Sequence, residues 1–254
     1  MVFISASNPE PLFSIILDDE RIVAEPMICK NNFLYVGTAQ GNLHAYFLLQ
    51  SSSVLPHSLE WIFPADGTIE KAVVVTNDCQ HIIFASFSGH VYKLTAKEGI
   101  LLWRFEVASS TISTSPVSNF DGSLVFVAAD NGCIYAIDGS KGVEQSKYCT
   151  DIHISNIIND EKNEKLYAVS SQGRLLALRS DKNEVMWDRT DVVDGILHCI
   201  LSTQNDILYV ISFDATLYAL DTVDGSQQWY LPIEKNSNHI YRNRVSPQAA
   251  TRCF

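Results

Sequence analysis

Five stretches of this chain copy one another: Gly41-Asn-Leu-His-Ala-Tyr46, Gly89-His-Val-Tyr-Lys-Leu94, Gly132-Cys-Ile-Tyr-Ala-Ile-Asp138, Gly173-Arg-Leu-Leu-Ala-Leu178 and Ala215-Thr-Leu-Tyr-Ala-Leu220. Their lead residues recur every 41–48 positions. A fixed period in this range marks a repeat architecture, and it limits the fold more than any other feature of the sequence.

Each copy carries neighbours at constant offsets. An apolar run precedes the glycine column: Phe33–Val36, Ile82–Ala85, Leu124–Val127, Leu166–Val169 and Ile207–Ile211. A second run precedes that one, as in Arg21–Pro26 and Ile112–Pro116. A Trp column follows the glycine by about 13 residues, with Trp61 displaced by an insertion and then Trp103, Trp187 and Trp229; the third copy has Ser146 there. Short β-rich runs separated by Gly, Asp, Asn and Ser read as strands and hairpins, and the glycine suits a turn with positive φ or a close backbone approach. No helix-length amphipathic pattern occurs. The expectation is an all-β β-propeller of four-stranded antiparallel blades. The run lengths exclude a helical solenoid, the period is too long for a parallel β-helix, and a sandwich does not repeat residues in register.

The columns place five complete blades at about 21–64, 68–107, 111–149, 151–190 and 194–232. Partial blade strands are expected at about 11–17 and 240–247, because Phe13 stands before Pro26 as Trp103 stands before Pro116, and Val245-Ser-Pro247 resembles Thr114-Ser-Pro116. Residues 1–254 are thus read as a single, incomplete propeller domain. Its terminal blades are expected to present apolar faces unless the partial strands cover them. The insertion 49–58 is expected as a surface loop.

The formal net charge is −11. Phosphate binding needs a basic footprint, so nucleic-acid and anionic-membrane partners are excluded as expectations. No apolar run approaches the ~20 residues of a spanning helix. Six cysteines occur singly and none forms a C-x-x-C pair; reduced thiols and a cytoplasmic location are expected. Seven scattered histidines lack the spacing of a zinc site. His44 sits in the column of Tyr92 and Tyr135 and reads as a packing residue, and His153 and His198 fall in innermost runs. No Gly-x-Ser-x-Gly elbow and no phosphate-binding loop is present.

The apolar strand, the Gly-x-Leu/Ile/Val-Tyr-Ala-Leu/Ile-Asp run, the Trp and the Ser-x-Pro together resemble the pyrroloquinoline-quinone-type repeat of quinoprotein-like propellers, over about 11–247. The family includes quinone-dependent dehydrogenases, a bacterial outer-membrane assembly lipoprotein, and the C-terminal propeller of β-alanine-activating (aminoadipate-semialdehyde dehydrogenase-like) adenylating enzymes. The resemblance implies that Gly41, Gly89, Gly132, Gly173, Trp61, Trp103, Trp187, Trp229, Pro26 and Pro116 are structural repeat positions, with Trp docked between blades. A quinone dehydrogenase of this family would carry adjacent cysteines and a Glu/Asn/Asp calcium site, and neither is found here. The expectation is therefore a non-catalytic domain with no cofactor, no metal and no catalytic residues. It would bind protein partners or neighbouring domains of a longer chain, as a scaffold or as the propeller of an acyl-activating enzyme. The alternative is a quinone-dependent dehydrogenase.

Overall fold

The computed structural model describes residues 2–5, 8–17, 19–48, 57–107, 110–112, 114–182, 184–190, 195–202, 204 and 206–233, with side chains from Ile15 on. Among these residues every regular element is a strand, apart from one 3-10 turn at Glu161–Asn163. Most of the 49–58 insertion and the whole of the expected strand at 240–247 lie outside them.

Five four-stranded antiparallel sheets follow in chain order. Sheet one comprises Met27–Ile28, Phe33–Gly37, Asn42–Leu48 and His57–Pro64; sheet two Val74–Val75, His81–Ala85, His90–Thr95 and Leu101–Glu106. Sheet three comprises Val117–Ser118, Leu124–Ala128, Cys133–Asp138 and Val143–Cys149. Sheet four comprises Asn156–Asp160, Lys165–Val169, Leu175–Arg179 and Val185–Arg189; sheet five Ile196–Leu201, Ile207–Ser212, Thr216–Asp221 and Gln227–Pro232. Every sheet is a meander whose strands bond in sequence order, the blade pattern of a β-propeller. The chain divides into two compact units, residues 1–147 and 148–254.

Register explains the alanine column. The second and third strands pair so that a large residue faces a small one: Tyr35 opposite Ala45, Phe126 opposite Ala136, Tyr167 opposite Ala177 and Tyr209 opposite Ala219. The aromatic ring needs the space that a larger partner would fill. In sheets one and four the second strand is covered on both faces; all five residues of Phe33–Gly37 and of Lys165–Val169 are buried. A polar residue in such a strand needs a partner, whereas the outer strand tolerates charge. Leu101–Glu106 buries only Trp103 and leaves most of its other residues exposed.

Apolar faces of neighbouring sheets meet in three clusters. Sheet one packs on sheet two through Tyr35, Leu43 and Ala45 against Ile82, Phe84, Tyr92 and Leu94. Sheet two packs on sheet three through Ile83, Ala85, Val91 and Trp103 against Val125, Val127, Tyr135 and Ile137. In the second unit, Tyr167, Val169, Leu175, Ala177 and Trp187 of sheet four meet Ile196, Cys199, Leu208, Val210 and Leu220 of sheet five. Burying each large side chain contributes about 1.5–3 kcal/mol, so these seams carry the cohesion of each unit.

Two expectations are corrected, and a third meets its stated alternative. The innermost strands of sheets one and three begin after the apolar runs read from the sequence. Pro26 and Pro116 immediately precede the strands at Met27 and Val117, since proline has no N–H to give to a ladder. The leading segment does not leave sheet one open. Its strand, Asn8–Ser14, pairs with Val2–Ser5, and Ile15 beyond it is 1% exposed, packing with Leu17 and Ile22 on Leu34, Val36, Tyr46 and Leu48. Nor are the cysteines all reduced: Cys29 and Cys79 form a disulfide with Cα atoms 6.2 Å apart, and Cys133 and Cys149 are disulfide-bonded as well. Only proximity in the fold reveals such pairs, because the cysteines lie far apart in sequence. Among the described residues Cys199 is free; it is buried, and burial pushes its thiol well above the ordinary range.

Candidate interaction surface and the polar latches

The Trp column works as a ball in a socket formed by the next sheet. The indole N–H of Trp61 donates to the Lys97 carbonyl at 3.0 Å, that of Trp103 to Gly139 at 2.9 Å and that of Trp187 to Thr222 at 3.3 Å. These carbonyls follow the third strand of the neighbouring sheet. A glycine from the hairpin that comes next lies flat on each ring. A β-carbon on Gly142 would stand 2.6 Å from Trp103, and one on Gly225 2.9 Å from Trp187. Both glycines hold left-handed φ, +68° and +71°, so turn geometry and ring contact demand the same residue. Sheet three has Ser146 in place of Trp, and sheet four has no glycine between Arg179 and Glu184.

A second donor reaches the same carbonyl row. The Tyr35 hydroxyl donates to the Ala96 carbonyl at 3.0 Å. In sheet two the corresponding residue is Ile83, which has no donor. Lys93, its cross-strand partner in the alanine column, sends Nζ to the Gly139 carbonyl at 2.8 Å instead. Lys93 is 7% exposed, and burial holds its ammonium pKa below the ordinary lysine value despite Asp78, Asp121 and Asp138 nearby. One donor has been exchanged for another at the same socket.

The glycine column opens the hairpin between second and third strands. Gly41, Gly89, Gly132 and Gly173 have φ between +79° and +94°, and Ala215 sits at +62°. Chain entering sheets one to four passes over this hairpin and is pinned to it by a polar latch. At sheet one, Glu20 accepts from Asn42 and contacts His44 Nε2, each at 3.0 Å. Burial raises the Glu20 pKa, but hydrogen bonds from His44, Thr38 and Asn42 outweigh it and leave the group below its ordinary value. His44 is 3% exposed, stacked on Tyr46, so packing is its position; its Nδ1 has no partner. At sheet four, Arg174 bridges Asp188 (2.6 Å) and Asp151 (2.8 Å).

The sheet-two latch brings Ser, His and Asp together. Asp66 Oδ1 accepts from Ser86 Oγ at 2.9 Å and from Ser88 Oγ at 2.6 Å, and Asp66 Oδ2 pairs with His90 Nδ1. Sequence spacing does not reveal this, because Asp66 comes from the entering chain and Ser86, Ser88 and His90 from the hairpin. The geometry does not support nucleophilic catalysis. A base must take the serine proton, yet both hydroxyls give theirs to the carboxylate. Ser88 also approaches the same ring nitrogen that Asp66 occupies, at 3.4 Å. His90 Nε2 turns to Glu106, 3.8 Å away. The tyrosine behind it, Tyr92, is pushed up to about 12 by burial and by Asp66. No group of three or more His, Cys, Asp or Glu among the described residues is placed to hold a metal. His153 and His198, read as innermost, are both exposed.

The remaining feature is a half-buried face of sheet five. Tyr209, Ile211, Leu217, Ala219 and Trp229 of sheet five occupy the columns of Tyr167, Val169, Leu175, Ala177 and Trp187. The Tyr209 and Trp229 rings lie 5.9 Å apart, as do those of Tyr167 and Trp187. In sheet four these five residues are 8% exposed or less. In sheet five Tyr209, Ile211, Leu217 and Trp229 are only half-buried, and neighbouring Ile200 is 52% exposed. The expectation that Trp229 is buried between blades is corrected: it is half-buried, and among the described residues its indole N–H has no acceptor.

The chain matches the family model described as outer membrane protein assembly factor BamB over residues 17–231. A BamB of Moranella endobia is 22% identical over 206 residues, 75% of this chain and 49% of that protein. The chain thus spans about half the length of this relative. The β-alanine-activating enzyme of Danio rerio is 34% identical over 79 residues, 28% of this chain and 7% of that protein. Among solved structures, BamB from Moraxella catarrhalis aligns with TM-score 0.63 at 18% identity, covering 82% of this chain and 61% of that one. The computationally designed Ika8 protein aligns with TM-score 0.73 at 15% identity, covering 90% and 70%.

Proposed function

Because the chain belongs to the BamB family of pyrroloquinoline-quinone-type repeat propellers, we propose that it is a non-catalytic protein-interaction scaffold. The observation that carries this reading is the open face of sheet five. It has the composition of a blade seam, with an aromatic pair and branched aliphatics, but no described covering. Apolar faces of this kind mark protein-interaction sites, and half-buried Trp and Tyr are the residue types that dominate binding energy. The name of the relatives, an assembly factor, points the same way. The Ser/His/Asp latch is internally satisfied and gives no competing catalytic reading. The partial match to a β-alanine-activating enzyme supports a finer version, in which the propeller serves an acyl-activating enzyme. Cytoplasmic residence belongs to that version.

The test is light scattering of purified 1–254 over a range of concentrations, alongside the variant Ile200→Arg/Tyr209→Arg. The scaffold reading expects concentration-dependent association by the parent, lost in the variant with little change in melting temperature. A parent that stays monomeric, with a variant that melts far below it, would return this face to the core and remove the reading.

A further inference from the structure

We propose that Cys29 and Cys79 form a redox latch that ties sheet one to sheet two. The two residues occupy corresponding hairpins, each between the first and second strands of its sheet. Cys29 closes its turn by donating N–H to the Phe33 carbonyl at 2.9 Å, and Cys79 by donating to Thr76 at 2.8 Å. Their Cα separation of 6.2 Å lies inside the range a disulfide spans without moving backbone. Both are 8% exposed and belong to the apolar cluster between the two sheets.

The second observation is where Cys79 sits. Its φ is +56°, in the left-handed region. The sister hairpin of sheet three has the same turn, with Gly122 donating N–H to Asn119 and φ at +67°. Asp78-Cys79 thus stands where that hairpin has Asp121-Gly122. A β-carbon there is unfavourable by its own backbone. What the turn loses locally, the side chain returns at a distance, since its sulfur meets Cys29 across the seam.

Closure is a thiol–disulfide exchange with a small disulfide such as oxidised glutathione. One cysteine thiolate attacks it and expels a glutathione thiolate, leaving a mixed disulfide. The other thiolate then attacks the protein sulfur and expels the second glutathione. One S–S bond is formed and one broken; the two cysteines lose two electrons and two protons, and the two glutathiones gain them. Because the sulfurs are buried, exchange waits on local opening of the two hairpins, and the closed latch resists small thiols. Closing the loop between positions 29 and 79 constrains the unfolded chain and stabilises the first unit.

The experiment equilibrates 1–254 in oxidised and reduced glutathione, blocks free thiols, digests without reduction, and searches for the peptide joining Cys29 to Cys79. Melting temperatures of parent, Cys29→Ser and Cys79→Gly are then measured in oxidising and dithiol buffers. Cys79→Gly removes the bond and relaxes the turn, so it separates the two effects. The latch predicts the joined peptide and, under oxidation, a parent that melts roughly 5–10 °C above both variants. In dithiol the order of parent and Cys79→Gly reverses. Absence of the joined peptide, or a Cys79→Gly protein that melts above the parent in both buffers, overturns the proposal.

Discussion

Sheets four and five are built on one pattern and meet different fates. In each, a tyrosine faces an alanine across the central strands and its ring lies tilted, 5.9 Å from a tryptophan of the outer strand. On sheet four the Trp187 indole N–H finds the Thr222 carbonyl and Gly225 covers the ring. On sheet five Tyr209 and Trp229 are only half-buried. The tryptophan alone therefore does not make a seam. The seam needs a carbonyl and a β-carbon-free hairpin from the sheet that follows. The fifth sheet carries such a face, and among the described residues no sheet follows it.

Substitutions sharpen the contrast, and the largest effect is expected at Trp187→Ala. It removes a buried ring and one of the two donors to the Thr222 carbonyl, which keeps Lys165 Nζ at 2.6 Å, and its expected cost is about 3–5 kcal/mol of unfolding free energy, read by urea titration. Trp229→Ala would have to approach that figure to break the comparison. Next comes Gly225→Ala. A left-handed alanine costs about 1–2 kcal/mol, and its β-carbon would press on Trp187 at 2.9 Å; the same titration checks it. Trp229→Ala is expected to cost about 1 kcal/mol, in the range of partly exposed positions. It should reduce association more than stability.

The smallest effect is electrostatic and belongs to the latch entering sheet four. Arg174 holds Asp151 below the ordinary aspartate pKa by hydrogen bond and by charge. The folded-state pKa is depressed, so the contribution is present above the unfolded value near ~3.9. It is lost as pH falls through the folded value. Asp151→Asn should flatten the acid limb of a melting-temperature-against-pH curve slightly, and salt should mask the difference because Asp151 is 86% exposed. A large loss at neutral pH would mean that the latch does more than tether.

The blade pattern was legible because repetition averages out local ambiguity. Five copies of strand, glycine hairpin, strand and tryptophan state the register even where one copy departs, as at Ser146 and Ala215. What stayed hidden depends on which residue faces which across a seam. Lys93 reads as an oddity in an alanine column until Ile83 is seen to lack the hydroxyl it replaces. Asp66, Ser86, Ser88 and His90 meet only because the entering chain crosses over the hairpin. Cys79 looks like an isolated thiol until its turn is laid beside that of Gly122. The covering of sheet one by Ile15 likewise follows from where the leading segment runs after its strand, and strand propensity does not record that.

Hydroxyl-radical footprinting read residue by residue by mass spectrometry tests the central claim most directly. The four tryptophans share one chemistry, so their oxidation rates rank their exposure within a single sample. The account predicts that Trp229 oxidises several-fold faster than Trp187 and Trp103, and that association at high concentration slows Trp229 alone. Equal protection of Trp229 and Trp187 in dilute monomer would show that the fifth face is covered, and would contradict it.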